Sequence, residues 1–370
     1  MGTLYDYLKW RGDLTFSEVP INDVDSLIFS LISYLDFKGI VPDKHSEASI
    51  PIKAAANTFF AKHPNPKKIS LGVLVPKGLI TLFRAVKSTR RFRNVEMKAH
   101  VNLINQKTEM QFSATTFVIN QENIVVAFRG TDDSLVGWKE NFNMSFLPVV
   151  PAQQYATRYL NAAAKKLDGN VYVTGHSKGG NLSVYAAVHA DATVKHKIRK
   201  VWSNDGPGYQ KGFLNDPKYL EMRPLIKTLV PQASLVGMLL EHEDNYTVVK
   251  SRQVGAFQHD GLTWSVMGGS FITVKETTKG SKHTDKTLNT WIEQMSPTQR
   301  EQFVESLYQI LCADNATTLT DLVSFRKNKW LQKSANLDPH VKKTIMKTLG
   351  LLFEANKSNL LGGLLKKENN

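Results

Sequence analysis

The stretch Val171-Tyr172-Val173-Thr174-Gly175-His176-Ser177-Lys178-Gly179-Gly180-Asn181-Leu182 decides the fold. It opens on a β-branched and aromatic run that predicts a short buried strand, and residues 182–188 after it predict a buried helix. Between the two lies a G-x-S-x-G sequence. A turn this tight exposes the Ser177 hydroxyl at the end of the strand, while its glycines let strand and helix approach. Backbone N–H groups of the new helix then point at the serine, which predicts a nucleophile suited to acyl transfer.

A second apolar segment, residues 123–128, ends in Arg129-Gly130-Thr131 and is followed closely by Trp138. With the G-H-S-x-G-G-N-L sequence it resembles the class 3 lipase branch of the α/β-hydrolases. Other parts also resemble a bacterial α/β-hydrolase family of undetermined function: residues 7–13, residues 23–29, Asn204-Asp205-Gly206-Pro207-Gly208 and Gln258-His259-Asp260. The resemblance covers roughly residues 5–270 and implies a hydrolase scaffold, but hardly indicates a substrate.

Strand and helix patterns alternate through the middle of the chain, which favours a mostly parallel sheet flanked by helices. We therefore expect an α/β fold of the α/β-hydrolase type over residues 1–285, with a helical N-terminal segment over residues 1–60. After residue 285 the pattern becomes all-helical and predicts a C-terminal helical appendage over residues 286–370. Between the nucleophile and the end of the domain, the pattern predicts a helix over residues 219–229 and a strand over residues 233–240.

Composition limits the classes of partner. The formal net charge is +14, but the lysines are scattered and lack the clustered arginines and interleaved aromatic residues of a single-strand binder, so we expect no nucleic-acid partner. Weak contact with an anionic membrane surface remains an alternative, because the C-terminal residues 351–367 are apolar with lysines. The single cysteine, Cys312, excludes an intramolecular disulfide and a cysteine-rich metal site.

No cofactor or metal is expected, because no phosphate-binding glycine loop is present and the adjacent Asp132 and Asp133 have no histidine near them in sequence. The N-terminus lacks a basic region followed by an apolar core, and no stretch reaches the roughly 20 apolar residues needed to span a bilayer. A cytoplasmic location is the resulting expectation.

The base and the acid of a serine hydrolase are sought after Ser177, since α/β-hydrolases follow the order serine, acid, histidine. The histidines there are His189, His196, His242, His259, His283 and His340. His259 is the predicted base because it lies in a loop after the last predicted strand. The resemblance to lipases places the acid in residues 241–245, with Asp244 as first choice and Glu241 or Glu243 as alternatives. Asp205 is a further candidate, because it follows a predicted strand over residues 201–204 and could reach His259 from a neighbouring loop.

A developing oxyanion needs donors about 3 Å away. The backbone N–H of Lys178 follows from the geometry of the turn, and the Thr131 N–H is carried over from the lipase-like Arg-Gly-Thr. The Lys178 side chain departs from the lipase pattern, in which an apolar residue is common. We expect a solvated or paired lysine, with an anion-attracting rim as the alternative.

The sequence thus predicts a serine hydrolase that cleaves carboxylic, acyl or lipid-like esters through a Ser-His-acid triad and an acyl-enzyme. Its partner would be a small-molecule acyl ester or lipid substrate. Thioesterase, peptidase and acyltransferase reactions would use the same residues. A non-catalytic binding module on the same scaffold is the alternative from another class.

Overall fold

The computed structural model describes residues 1–66, 69–72, 75–165, 169–243, 245–278, 294–312 and 315–324. Its helices are α1 (Leu4–Arg11), α2 (Asp23–Ile32), α3 (Ile52–Lys62), α4 (Gly78–Val86), α5 (Leu135–Asn143), α6 (Pro151–Lys165), α7 (Lys178–Val188), α8 (Ala192–Lys195), α9 (Pro217–Met222), α10 (Pro297–Leu311) and α11 (Leu319–Ser324). Its strands are β1 (Ile50–Pro51), β2 (Glu96–Asn105), β3 (Met110–Asn120), β4 (Asn123–Phe128), β5 (Asn170–His176), β6 (Ile198–Asn204), β7 (Ile226–Pro231), β8 (Thr247–Val249), β9 (Val266–Met267), β10 (Ser270–Phe271) and β11 (Thr273–Val274).

In the described part of the chain, nine strands form one sheet in the order β1-β2-β3-β4-β5-β6-β7-β8-β11. The strands from β4 to β8 are parallel and follow one another both in sequence and in space. The pairs at the two sides, β1–β2, β2–β3, β3–β4 and β8–β11, are antiparallel. The predicted α/β-hydrolase fold is confirmed, with a parallel centre inside a mixed sheet.

Helices cover both faces of the sheet, and strand β4 shows why. Ile124, Val126 and Phe128 enter the apolar cluster that α6 and α7 form on one face. Val125 and Ala127 enter the cluster that α1 to α4 form on the other. Side chains alternate between faces along a strand, so an uninterrupted apolar run is what a strand buried on both faces requires.

The sequence placed one helix and one strand wrongly beyond β6. The helix expected over residues 219–229 ends at Met222, and residues 226–231 are strand β7. Pro224 ends the helical pattern because its ring lacks the N–H of a helical residue. Ile226, Thr228 and Val230 then favour a strand. Residues 233–240, expected as a strand, form turns and loops instead.

The C-terminal helices α10 and α11 contact the helix that follows β4. Phe303 and Leu307 of α10 join an apolar cluster with Leu135 of α5. Lys139 of α5 lies in a buried position between Glu109, at 2.9 Å, and Glu305. Residues 286–293 and 325–370 lie outside the described residues, so the boundary between domain and appendage stays a prediction.

Across the described residues, we find no helix with both the length and the apolar character needed to cross a membrane.

Candidate active site

Ser177 occupies the turn between β5 and α7. Its backbone has φ 57° and ψ −133°, a left-handed conformation that is uncommon for a residue other than glycine and recurs at functional sites. A Cβ at Gly175 would overlap the Gly179 carbonyl, and one at Gly179 would overlap the Phe128 carbonyl. The two glycines of the G-x-S-x-G sequence therefore allow strand and helix to approach. The Ser177 N–H donates to the Asn204 carbonyl at 3.0 Å, which ties the turn to the end of β6.

His259 lies at the end of a short 3₁₀ helix, Gly255–His259, between β8 and β9. Its Nδ1 is 2.6 Å from Oδ2 of Asp205. A carboxylate oxygen only accepts, so Nδ1 carries the hydrogen and donates it. The His259 side chain is 29% exposed, whereas the Asp205 side chain is 0% exposed. The pair thus joins a partly exposed imidazole to a fully enclosed carboxylate.

Asp205 is held firmly after strand β6. Its backbone φ of 51° lies in the left-handed region. Its Oδ1 accepts hydrogen bonds from the Ser234 hydroxyl at 2.5 Å and the Gly237 N–H at 3.2 Å. Both donors belong to the segment that the sequence wrongly predicted as a strand. That segment instead supplies hydrogen bonds that orient the carboxylate toward His259.

The other carboxylates considered as the acid have different surroundings. Asp244, the first choice from sequence, lies outside the described residues. Glu241 accepts a hydrogen bond from the Gly212 N–H at 2.7 Å. Glu243 forms an ion pair with Arg223 at 2.5 Å. Of the candidates that the structure describes, Asp205 is the one that it brings to His259.

His176, the residue before the serine, is buried and contacts the His259 loop. Its Nε2 is 2.8 Å from the His259 carbonyl oxygen, and the two ring centroids are 4.6 Å apart. Burial, followed by the proximity of His259, lowers the pKa of His176 to about 3. Its Nδ1 is 3.0 Å from the Tyr34 hydroxyl. No signal in the sequence pointed to Tyr34, because no motif surrounds it.

Lys178, the residue after the serine, turns its side chain into the interior. Its Nζ is 2.9 Å from Oε2 of Glu140 on α5 and donates to the Gln111 carbonyl at 2.7 Å. The lysine and glutamate side chains are 1% and 0% exposed. The lysine is thus paired and does not line an anion-attracting rim. Its backbone N–H lies in the first turn of α7, where N–H groups have no partner within the helix.

Thr131 is half-buried in the loop between β4 and α5. Its hydroxyl accepts a hydrogen bond from the Asn141 side chain at 2.6 Å. Arg129 holds the same loop through Asp132 at 2.7 Å and Asn102 at 3.0 Å. The role of the Thr131 N–H as an oxyanion donor stays a prediction. No group of three or more His, Cys, Asp or Glu side chains within the described ranges is arranged to hold a metal ion.

The sequence between residues 86 and 309 matches the model of a family described as Mbeg1-like, which is more than half of the 370 residues. The chain belongs to the Mbeg1-like family. The matched region of this Mbeg1-like chain contains Ser177, His259 and Asp205 but not the N-terminal helices α1 to α3. No curated protein matches the sequence.

Several solved lipase structures are remotely similar to the Mbeg1-like chain. The M37 lipase is 16% identical, with a TM-score of 0.36 over 59% of this chain and 70% of the lipase chain. A fungal lipase–inhibitor complex is 14% identical, with a TM-score of 0.34 over 61% of this chain and 79% of that chain. The Rhizomucor miehei lipase propeptide complex is 12% identical, with a TM-score of 0.35 over 68% and 82%. Likenesses this remote do not identify a substrate.

Proposed function

We propose that the protein is a serine hydrolase that cleaves carboxylic esters, with Ser177 as nucleophile, His259 as base and Asp205 as acid. The observation that carries the proposal is the 2.6 Å contact between His259 Nδ1 and the buried Asp205 carboxylate. The His259 main chain also contacts His176, the residue before Ser177, and Ser177 itself has a left-handed backbone. Hydrogen-bonding Nδ1 to a carboxylate leaves Nε2 free to take a proton. It also stabilises the imidazolium that forms when it does so.

In the proposed first step, the Ser177 oxygen attacks the ester carbonyl carbon while His259 Nε2 takes the hydroxyl proton. The tetrahedral oxyanion accepts hydrogen bonds from the backbone N–H groups of Lys178 and Thr131. Collapse of this intermediate breaks the ester bond, and the imidazolium gives its proton to the departing alkoxide. The products are an alcohol and an acyl-enzyme at Ser177.

In the second step, His259 takes a proton from water, and the resulting hydroxide attacks the acyl carbon. The serine oxygen leaves with the proton from His259, which restores Ser177 and releases a carboxylic acid. Each oxyanion donor in such sites is typically worth on the order of 10²–10³ in rate.

The proposed substrates are small-molecule acyl esters or lipids, and not nucleic acids. A small recess of about 20 Å³ opens further along α7, and neither Ser177 nor His259 lines it, so it is too small and too distant to define the acyl group. Its lining includes Met144, Leu147, Phe213 and Leu240, together with Asn181 of α7. Asn181 follows Ser177 by one helical turn, about 6 Å along α7.

The test is labelling with a fluorophosphonate probe, which reacts with activated serines. We expect the native chain to be labelled and the Ser177→Ala and His259→Ala variants to remain unlabelled. Ser270→Ala, at an exposed serine on β10, is the matched control and should be labelled like the native chain. Hydrolysis of p-nitrophenyl esters of increasing acyl length then defines the preferred acyl group.

A folded native chain that is not labelled would overturn the proposal in favour of a binding module on the hydrolase scaffold. Labelling that survives His259→Ala would exclude His259 as the base. Circular dichroism on each variant establishes that the chain is folded in the same samples.

A further inference from the structure

Tyr34 brings a phenol hydroxyl from the N-terminal segment to the nucleophile turn. It follows α2 by two residues and lies outside the part of the chain that matches the family. Its hydroxyl is 3.0 Å from His176 Nδ1 and also contacts the Ser177 side chain and the Gly130 backbone N–H. A Cβ at Gly130 would overlap this hydroxyl, so the glycine before Thr131 leaves room for it.

The direction of the hydrogen bonds follows from the groups themselves. The His259 carbonyl can only accept, so His176 Nε2 carries a hydrogen and donates it across 2.8 Å. A neutral imidazole then has an unprotonated Nδ1, which accepts a hydrogen bond from the Tyr34 hydroxyl. The other possible acceptor, the His176 carbonyl oxygen, is further away at 3.4 Å. With its hydrogen directed to His176, the phenol oxygen lies beside the Ser177 side chain and the Gly130 backbone.

Burial keeps both groups in these protonation states. It raises the pKa of Tyr34 well above its ordinary value, so the phenol keeps its proton. Burial also lowers the pKa of His176 to about 3, so its ring stays neutral. Neutrality matters in the proposed reaction, because His259 becomes an imidazolium while its ring centroid lies 4.6 Å from that of His176. A second positive ring at this distance would oppose the proton transfer.

We propose that Tyr34 and His176 are positioning residues of the site, which set the Ser177 hydroxyl and the His259 main chain before the reaction. This inference rests on the proposed function. The connection runs from Tyr34 through His176 to the His259 carbonyl. Asp205 holds the ring of His259 separately, through Nδ1. Displacing reacting groups by about 1 Å can cost on the order of 10²-fold in rate. A contact away from the reacting atoms can therefore control turnover.

The first test compares Tyr34→Phe with Tyr159→Phe. Tyr159 is a matched control, since its buried hydroxyl also makes two hydrogen bonds, with Thr116 at 2.9 Å and the Ala99 carbonyl at 2.8 Å. We expect Tyr34→Phe to lower kcat and the fluorophosphonate labelling rate by roughly 10- to 100-fold with an unchanged KM. Tyr159→Phe should leave both rates unchanged, even if it lowers the Tm equally. Equal rates for native protein and Tyr34→Phe would overturn the proposal.

Two substitutions of His176 separate its two contacts. His176→Gln keeps an N–H group at the ε position and can still donate to the His259 carbonyl. His176→Asn keeps a δ acceptor for Tyr34 but is too short to reach His259. The proposal expects Gln to retain more of kcat than Asn, and expects Tyr34→Phe to add little in the Asn variant. Additive losses in that double variant would contradict a connected path.

A measurement that needs no activity tests the connection itself. In protein with ¹⁵N-labelled histidine, NMR should show His176 as the Nε2–H tautomer, unchanged between pH 7 and pH 5. Its Nδ1 resonance should shift in Tyr34→Phe. An Nδ1–H tautomer would overturn the proposal. If the native chain is not labelled by the probe, the proposed function fails; if it is labelled and Tyr34→Phe reacts equally fast, only the positioning role fails.

Discussion

The residues on either side of Ser177, His176 and Lys178, anchor the turn through different kinds of contact. We call one set of contacts the histidine side, made of His176, Tyr34, His259 and Asp205. We call the other the lysine side, made of Lys178, Glu140 and Gln111. The histidine side contacts the loop after β8 and the segment after α2, whereas the lysine side contacts α5 and β3.

The two sides differ in exposure and in charge. His259 is 29% exposed and is held by hydrogen bonds, whereas Lys178 and Glu140 are 1% and 0% exposed and form an ion pair. A group that exchanges protons in the proposed reaction needs access to substrate and solvent. A group that only fixes the start of α7 does not. Removing one partner of a buried ion pair leaves the other charge uncompensated. Breaking the contact between Lys178 and Glu140 is therefore costly in free energy.

The largest expected effect on activity comes from the histidine side. Asp205→Asn keeps the shape of the side chain and tolerates the left-handed backbone at this position. The amide cannot hold His259 in the tautomer with hydrogen on Nδ1 as a carboxylate does. We expect kcat for a p-nitrophenyl ester to fall by roughly 10³–10⁴-fold with an unchanged fold.

Glu241→Gln is the control for Asp205→Asn, because its carboxylate binds the Gly212 N–H instead of a histidine. Its kcat should stay within about two-fold of the native value. A retained kcat in Asp205→Asn, together with a loss in Asp244→Asn, would assign the acid to Asp244 instead.

The lysine side should affect stability more than chemistry. Lys178→Met removes the cation and leaves the buried Glu140 carboxylate unpaired. We expect the free energy of unfolding to fall by about 3–5 kcal/mol, measured by urea denaturation. The backbone N–H of residue 178 remains, so the folded fraction should still be labelled by the fluorophosphonate probe.

The double variant Lys178→Met, Glu140→Gln sharpens this prediction. Neutralising both partners removes the uncompensated charge, so the double variant should be more stable than Lys178→Met alone. A loss of less than about 1 kcal/mol in Lys178→Met would show that the pair behaves like an exposed one, which typically contributes that little.

The sequence revealed the centre of the site better than its surroundings. The strand–Ser177–helix turn could be predicted because local residue types determine it, and the apolar run of β4 likewise determines a central strand. Strand β7 was missed because its first residues were assigned to a helix over residues 219–229, although Pro224 and the β-branched residues after it favour a strand. This error moved the expected acid toward Asp244.

Contacts between residues distant in sequence could not be predicted. Tyr34 lies 142 residues before His176, and Glu140 lies 38 residues before Lys178. No local pattern records either contact. The position of Lys178 in the interior also contradicts the usual preference of lysine for the surface, and the buried Glu140 carboxylate and the Gln111 carbonyl explain it.

The smallest expected effect is the pH dependence that His176 gives to stability. Burial lowers its pKa in the folded chain from 6.5 to about 3. Between pH 3 and pH 6.5, His176 therefore binds a proton in the unfolded chain but not in the folded chain. The resulting stability is present above pH 6.5 and is lost as the pH falls toward 3, by about 1.4 kcal/mol per pH unit.

At pH 5 this loss amounts to about 2 kcal/mol relative to pH 7.5, and His176→Gln should remove it. Urea denaturation of both proteins at the two pH values measures the difference. His45→Gln, at an exposed histidine, should retain the full loss. If native protein and His176→Gln lose equal stability on acidification, His176 is protonated in the folded chain. That result would contradict a neutral His176 on the histidine side, and only the lysine side would keep a fixed charge state.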